Sequence, residues 1–244
     1  MMSLDRTFAI AERVIRQIVK DRRSIGMIIV APIIVMSLVG FSLIEQKNAL
    51  NQLAPGMLAV FVLFFTFILT GVSFLRERAY GTLERLLTTT VGRADILVGY
   101  LLGFLVFTTI QTVVIVSFTI LALQIDYKGS LYEIAAVLML VVVVSVSLGI
   151  FISVFARNEF QVVQFVPIVV LPQVFLSGVI IPVDQMPTVL EWISTVLPLT
   201  YAVNSLREIM LDGHGLASIW SELAVISGMG VILQTAAVVT LRRT

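Results

Sequence analysis

Long uninterrupted apolar runs alternate along the chain with short stretches in which the charged residues are gathered. The runs at 25–44, 56–75, 96–123, 134–155, 162–181 and 219–241 each approach or exceed the roughly 20 residues an α-helix needs to cross a hydrocarbon layer about 30 Å thick. Backbone groups in hydrocarbon must be paired within the segment, which leaves helices or a closed barrel. These runs lack the alternation of a barrel strand. The pattern therefore predicts an all-α membrane protein with six transmembrane helices over residues 25–244.

Residues 1–24 form a separate cytoplasmic element. Leu4, Phe8, Ala11, Ile15 and Ile18 recur at helical spacing, while Arg6, Arg13 and Lys20 repeat every seven residues on another face. This predicts a basic amphipathic helix at the inner leaflet. A positive flank that merely orients the first span is the alternative. The stretch 182–217 is also apolar, but Pro187 and Pro198 cut it into pieces shorter than a bilayer and Gly213 supplies a stop. Two short helices are expected, over 186–197 and 199–212, forming a re-entrant outer hairpin before the last span.

The sidedness of charge supports this count, because Lys and Arg concentrate in cytoplasmic loops. Arg6, Arg13, Arg16, Lys20, Arg22, Arg23, Arg76, Arg78, Arg85, Arg93, Arg157, Arg242 and Arg243 fall on one side, thirteen of the sixteen basic residues. Lys47, Lys128 and Arg207 fall on the other. Both termini are placed in the cytoplasm, and the protein in the cell (inner or cytoplasmic) membrane.

Composition narrows the function. With 59% hydrophobic and 13% charged residues and a mean hydropathy of +1.06, a soluble fold is excluded, because average soluble domains carry about 25% charge. Six spans and their loops fill 244 residues, so no separate catalytic domain is expected. Cysteine is absent, which removes disulfides and thiolate chemistry. The span interiors hold no Asp, Glu, Lys, Arg or His, so proton or sodium coupling within this chain is not expected. Gln111, Gln164 and Gln173 are left there as neutral polar groups, suited to interhelical hydrogen bonds or to a substrate path. None of Lys20, Lys47 and Lys128 precedes a Ser or Thr as a P-loop lysine does. His214 stands alone, so neither a metal site nor a catalytic group is expected. Any energy the protein uses is expected to come from another chain.

The loop after the second run contains a miniature helix. Thr82 is placed to cap it, and Leu83, Leu86 and Leu87 share one face beside Glu84 and Arg85. An apolar ridge rimmed by charge suits a groove on a partner protein. A helix resting on lipid headgroups is the alternative.

The stretch RERAYGTLERLLTTTVGRADILVGYLLG, residues 76–103, resembles the loop after the second span in the permease subunits of ABC-2 type exporters, where E-x-G-T-L-E-x-L-L is typical. A second stretch, FLSGVIIPVDQMPTVLEWISTVLPLTYAVNSLREIML at 175–211, is similar to that family's fifth span and outer hairpin. Thr90 stands where a proline is common, and Tyr100 where a lysine often follows the glycine.

The resemblance implies a permease that pairs with a second permease chain, identical or not, and moves a drug, peptide or lipid outward. It also implies two ABC ATPase subunits carrying ATP and magnesium, with no cofactor in this chain and no nucleic-acid partner. ATPase coupling would fall on the helix at 3–23, on Arg76, Glu77, Arg78, Gly81, Thr82, Leu83, Glu84, Arg85, Leu86 and Leu87, and on Arg157, Asn158 and Glu159. The outer gate and hairpin would involve Phe175, Leu176, Ser177, Gly178, Val179, Pro182, Pro198 and Tyr201. A membrane scaffold that docks an ATPase without moving substrate is the competing function.

Overall fold

The computed structural model describes residues 3–89 and 91–240, and every regular element among them is helical. Helix α1 (Leu4–Lys20) meets α2 (Arg22–Ser42) at an elbow made by Asp21 alone. Then follow α3 (Lys47–Ala79), the short α4 (Thr82–Leu87), α5 (Arg93–Leu121), α6 (Leu131–Ser153) and α7 (Glu159–Leu176). A 3-10 turn (Val183–Gln185) leads to α8 (Thr188–Ser194) and α9 (Pro198–Arg207), which unwinds through a π turn (Glu208–Asp212) before α10 (Trp220–Thr240).

Five helices are long and apolar enough to cross a membrane: α3, α5, α6, α7 and α10. The first predicted run corresponds to α2, whose described apolar segment, Ile29–Ser42, is shorter. At 33 residues, α3 is about 50 Å long. It therefore overruns a hydrocarbon layer and carries Arg76, Glu77 and Arg78 on its extension.

The predicted fifth run, 162–181, is cut short in the structure. Helix α7 ends at Leu176, and Gly178 adopts φ +82°, a left-handed conformation that reverses the chain. The hairpin helices begin at their prolines: α8 follows Pro187, and α9 opens on Pro198, where a missing N–H costs nothing. The end of the last predicted run, Leu241, and the basic pair Arg242 and Arg243 lie outside the described residues, as does Thr90.

Helix α3 is the centre of the bundle. Its fully buried Leu58, Leu63, Phe67 and Phe74 pack with Leu97 and Phe104 of α5, Val142 and Ile150 of α6 and Leu199 and Val203 of α9. Helices α3 and α6 cross at Gly71 and Gly149. A Cβ on Gly149 would strike Thr70 Oγ1 and sit 3.0 Å from the Phe67 carbonyl, so this crossing tolerates only glycine.

Helix α1 packs along the first half of α5 in the same close manner. A Cβ on Gly99 would lie 2.7 Å from Ile10 Cβ, and one on Gly103 would lie 2.7 Å from Val14 Cβ. The single apolar stripe read from the sequence is thereby split. Ala11 and Ile18 join Thr7, Ile10 and Val14 against the bundle, whereas Leu4 and Phe8 are 66% and 61% exposed.

The loops sort to two ends. At one, the α1–α2 elbow, the α3–α5 connection and the α6–α7 connection meet through Arg76, which bonds both Asp21 and Glu159. Most of the described basic residues lie here, and it is called the basic end below. At the opposite end, Asn51 and Asp126 exchange two hydrogen bonds of 3.2 Å, and the N–H groups of Lys128 and Gly129 donate to the Met210 and Ile209 carbonyls freed by the π turn. Glu133 accepts from Leu216 N–H at 3.3 Å on the same side.

Candidate functional site

Two carboxylates are buried at the basic end, and each gathers backbone or side chains from elements distant in sequence. Asp95, 1% exposed, accepts from Ser3 N–H at 3.0 Å and from Gly92 N–H at 3.2 Å. It thus pins the start of α1 to the start of α5.

Glu77, 3% exposed near the end of α3, does more. Its Oε2 accepts from Arg13 at 2.6 Å, from the Thr82 hydroxyl at 2.7 Å and from the Tyr100 hydroxyl at 2.7 Å. Those donors stand on α1, α4 and α5. Three donors on one carboxylate oxygen, one of them charged, offset the desolvation that burial of a carboxylate would otherwise impose. Tyr100 is itself fully buried and packs edge-on against Phe74, with ring centroids 5.1 Å apart. Sequence reasoning missed Arg13 and Tyr100 as partners of Glu77, and only the departure from lysine at Tyr100 hinted at a special role there.

The small helix forms where expected, but it is capped and oriented differently. Gly81 occupies the N-cap at φ +68°, and the Thr82 hydroxyl turns back to Glu77, donating to its carbonyl and its carboxylate. The leucine ridge also faces inward. Leu83 is 3% exposed within the core and Leu86 packs against it, while the side chain of Leu87 lies outside the described residues. The outward surface is polar and aromatic: Glu84, Arg85 and a Tyr80 that is 72% exposed.

Arg78 is half-buried and turned toward the bundle. Its Nη1 donates to the Ser153 and Val154 carbonyls at 2.8 and 2.9 Å, satisfying the end of α6. Arg76 lies against Glu159 in a two-point contact of 2.7 and 3.1 Å. The two predicted coupling segments, 76–87 and 157–159, are therefore in direct contact. Asn158 caps α7 by accepting from Gln161 N–H at 2.9 Å, and Arg157 is exposed beside it.

The second set of predicted residues gathers at the opposite end. Phe175 is exposed, Leu176 is half-buried and Ser177 is fully buried with its hydroxyl unpaired. Val179 packs on Gly56 of α3, where a Cβ would sit 3.0 Å from it. Pro182 opens the 3-10 turn. Pro198 starts α9, and the Tyr201 hydroxyl donates to the Thr195 carbonyl at 2.7 Å, folding α8 back against α9. Arg207 reaches the Val179 carbonyl at 3.4 Å, and burial draws its guanidinium below the ordinary arginine range.

Of the three glutamines singled out in the sequence, Gln164 is exposed. Gln173 bonds the Val169 carbonyl of its own helix, and Gln111 is buried with both amide atoms unpaired. No group of three or more His, Cys, Asp or Glu suited to a metal ion occurs among the described residues.

A bundle of apolar helices long enough to cross a membrane, with its buried carboxylates at one polar end, defines a multi-pass helical membrane protein. Residues 5–211 match the family model described as ABC-2 type transporter, and the chain belongs to that family. It is similar to ABC transporter G family member 20 of Dictyostelium discoideum, 30% identical over 80% of this chain and 27% of that protein. The probable multidrug ABC transporter permease YbhS of Escherichia coli (strain K12) is 28% identical over 66% of this chain and 43% of its own length. The inner membrane transport permease YhhJ of the same organism is 29% identical over 72% of this chain and 48% of its own. The chain thus spans less than half the length of these relatives.

Proposed function

We infer that this chain is the permease unit of an ATP-driven exporter, moving an amphipathic substrate outward with energy from a separate ATPase. In this reading α2 is the first of six spans, α1 lies at the inner leaflet, both termini are cytoplasmic, and 176–219 forms a re-entrant outer hairpin. Two permease units and two ATPase subunits form the working assembly, and ATP and magnesium reside on the ATPases.

The observation that carries this reading is the Glu77 cluster. One oxygen ties together α1, α3, α4 and α5 at the basic end, so a push on the surface of α4 is delivered to the long central helix and to α5 as one body. The contact surface is Tyr80, Glu84 and Arg85, joined by Arg157 through the Arg76–Glu159 pair, rather than the leucine ridge. An exposed aromatic flanked by opposite charges is the composition of an interface anchor. Residues 175–179, with Arg207 against the Val179 carbonyl, form the outer gate.

The test is reconstitution with a cognate ATPase in liposomes. Substrate-stimulated ATP hydrolysis together with ATP-dependent transport is expected. Tight ATPase binding with neither activity would instead make the chain a docking scaffold.

A further inference from the structure

A cavity of about 450 Å³ lies between α2, α3, α5 and α7. Its walls are apolar, with Phe65, Leu69 and Val72 from α3, Ala31 from α2, and Phe160 and Val163 from α7. Arg76 and Glu159 stand at the basic end of this wall, already bonded to each other. The remaining polar contributions are Ser73 of α3, half-buried, and Gln111 of α5, 1% exposed, with neither Nε2 nor Oε1 paired.

Gln111 sits deep in the span. Tyr100 is level with Glu77, to which it bonds. From there Gln111 lies about 16 Å further along α5, and Phe65 about 18 Å back along α3, at 1.5 Å per residue. The unpaired amide is unusual for this helix, because Thr108, Thr112 and Thr119 each donate to a carbonyl one turn back. Buried polar groups normally find partners, and an exception beside a cavity has an explanation if a ligand there supplies the missing partner.

We propose that Gln111 is the hydrogen-bonding anchor of a binding site for neutral amphiphiles whose polar group presents a donor and an acceptor side by side, as an amide or carbamate does. The proposal rests on the permease reading above and names the substrate chemistry it would serve. A carboxamide offers one donor group and one acceptor, so its complement is the same pair reversed. The walls select an apolar body. Charge is not selected, because the one cation at the cavity is engaged by Glu159 at 2.7 Å and by Asp21 at 3.2 Å.

The experiment uses the purified full chain in lipid nanodiscs without ATPase. The probe is palmitamide carrying a mid-chain diazirine, competed with oleamide, with methyl oleate, which only accepts, or with 1-octadecene, which does neither. Labelling is expected on α3, α5 and α7 peptides, with oleamide competing at least about tenfold better than methyl oleate, because a site built around a hydrogen-bond pair rejects the analogue lacking it. Gln111→Leu and Gln111→Met should abolish that preference. They should also raise the thermal midpoint, since each removes an unpaired buried amide.

Three outcomes overturn the proposal. These are oleamide preference surviving in both variants, labelling that maps elsewhere, and a lowered midpoint in both variants. The last would mean that Gln111 is paired within the protein or by a second copy in the groove, the latter visible as lost dimer mass. Since no ATPase is present, these results bear on the site alone. Absent ATP-driven transport with the site intact would instead count against the permease reading.

Discussion

Arg13 donates to Glu77 Oε2 at 2.6 Å across 64 positions of sequence, joining the first helix of the chain to the far end of the longest one. Arg13 is partly exposed and Glu77 is not, with side-chain exposures of 35% and 4%. The arginine thus brings charge from the surface to a carboxylate that is almost wholly withdrawn from water. Tyr100 and Thr82 complete the shell of that oxygen.

Removing the shared acceptor should be the most damaging polar substitution in the chain. Glu77→Ala strands the Tyr100 hydroxyl and unpins α1, and a loss of about 3–5 kcal/mol is expected, as for other broken buried pairs. Tyr100→Phe removes one bond to a charged group and should cost about 1.5–3 kcal/mol. In a thermal unfolding cycle on detergent-purified protein, Arg13→Ala with Glu77→Ala should be little worse than Glu77→Ala alone. Full additivity would show that the two residues act independently.

The two faces of α4 should give opposite phenotypes. Leu83→Asp places a charge in the chain's own core, so membrane abundance and thermal stability should fall with or without an ATPase present. Arg85→Glu alters an exposed side chain, so abundance should hold. Substrate-stimulated ATP hydrolysis should drop severalfold, because a reversed charge at an interface rim opposes its partner. Normal stimulation in Arg85→Glu would move the contact surface elsewhere.

These assignments show where the sequence was legible. Each apolar run contains a helix, because a backbone in hydrocarbon has no other way to pair its polar groups. The run through Val179, Ile180 and Ile181 was misread as helix because hydropathy does not register the left-handed backbone at Gly178. The α4 leucines were legible as a ridge but not as to what they face, since the spacing is the same for a partner's groove and for the chain's own core. The Glu77 cluster was invisible for another reason. Its donors lie 64, 23 and 5 positions from Glu77, and only the packing of α1 against Gly99 and Gly103 brings Arg13 to it.

Topology is testable on a background that contains no cysteine. Lys47, Lys128 and Asp212 are exposed at one end of the bundle, and Arg85 and Arg157 are exposed at the other. Single cysteines at the first three should react in intact cells with a maleimide that does not cross membranes. Cysteines at Arg85 and Arg157 should react only after permeabilisation. Labelling of the Arg85 position in intact cells would invert the assigned orientation.

The pair Arg76 and Glu159 supplies the last test, because it is the bond that joins the ends of α3 and α7 at the basic end. Its two-point geometry, 2.7 and 3.1 Å, fixes direction as well as distance. Glu159 is about half exposed, so the pair should contribute only about 0.2–1 kcal/mol to stability, as exposed ion pairs do. Glu159→Arg should lower the thermal midpoint only slightly and Arg76→Glu, which also loses Asp21, somewhat more, while each sets like charges face to face at the α3 and α7 ends. Transport should fall in both single variants. The double exchange restores opposite charges, although Asp21, which also contacts Arg76 at 3.2 Å, then faces a carboxylate. Recovery should therefore be partial, and neutralising Asp21 with Asn should improve it. Single variants that transport normally would show that the two loops transmit motion independently and that the bond between them is incidental to coupling.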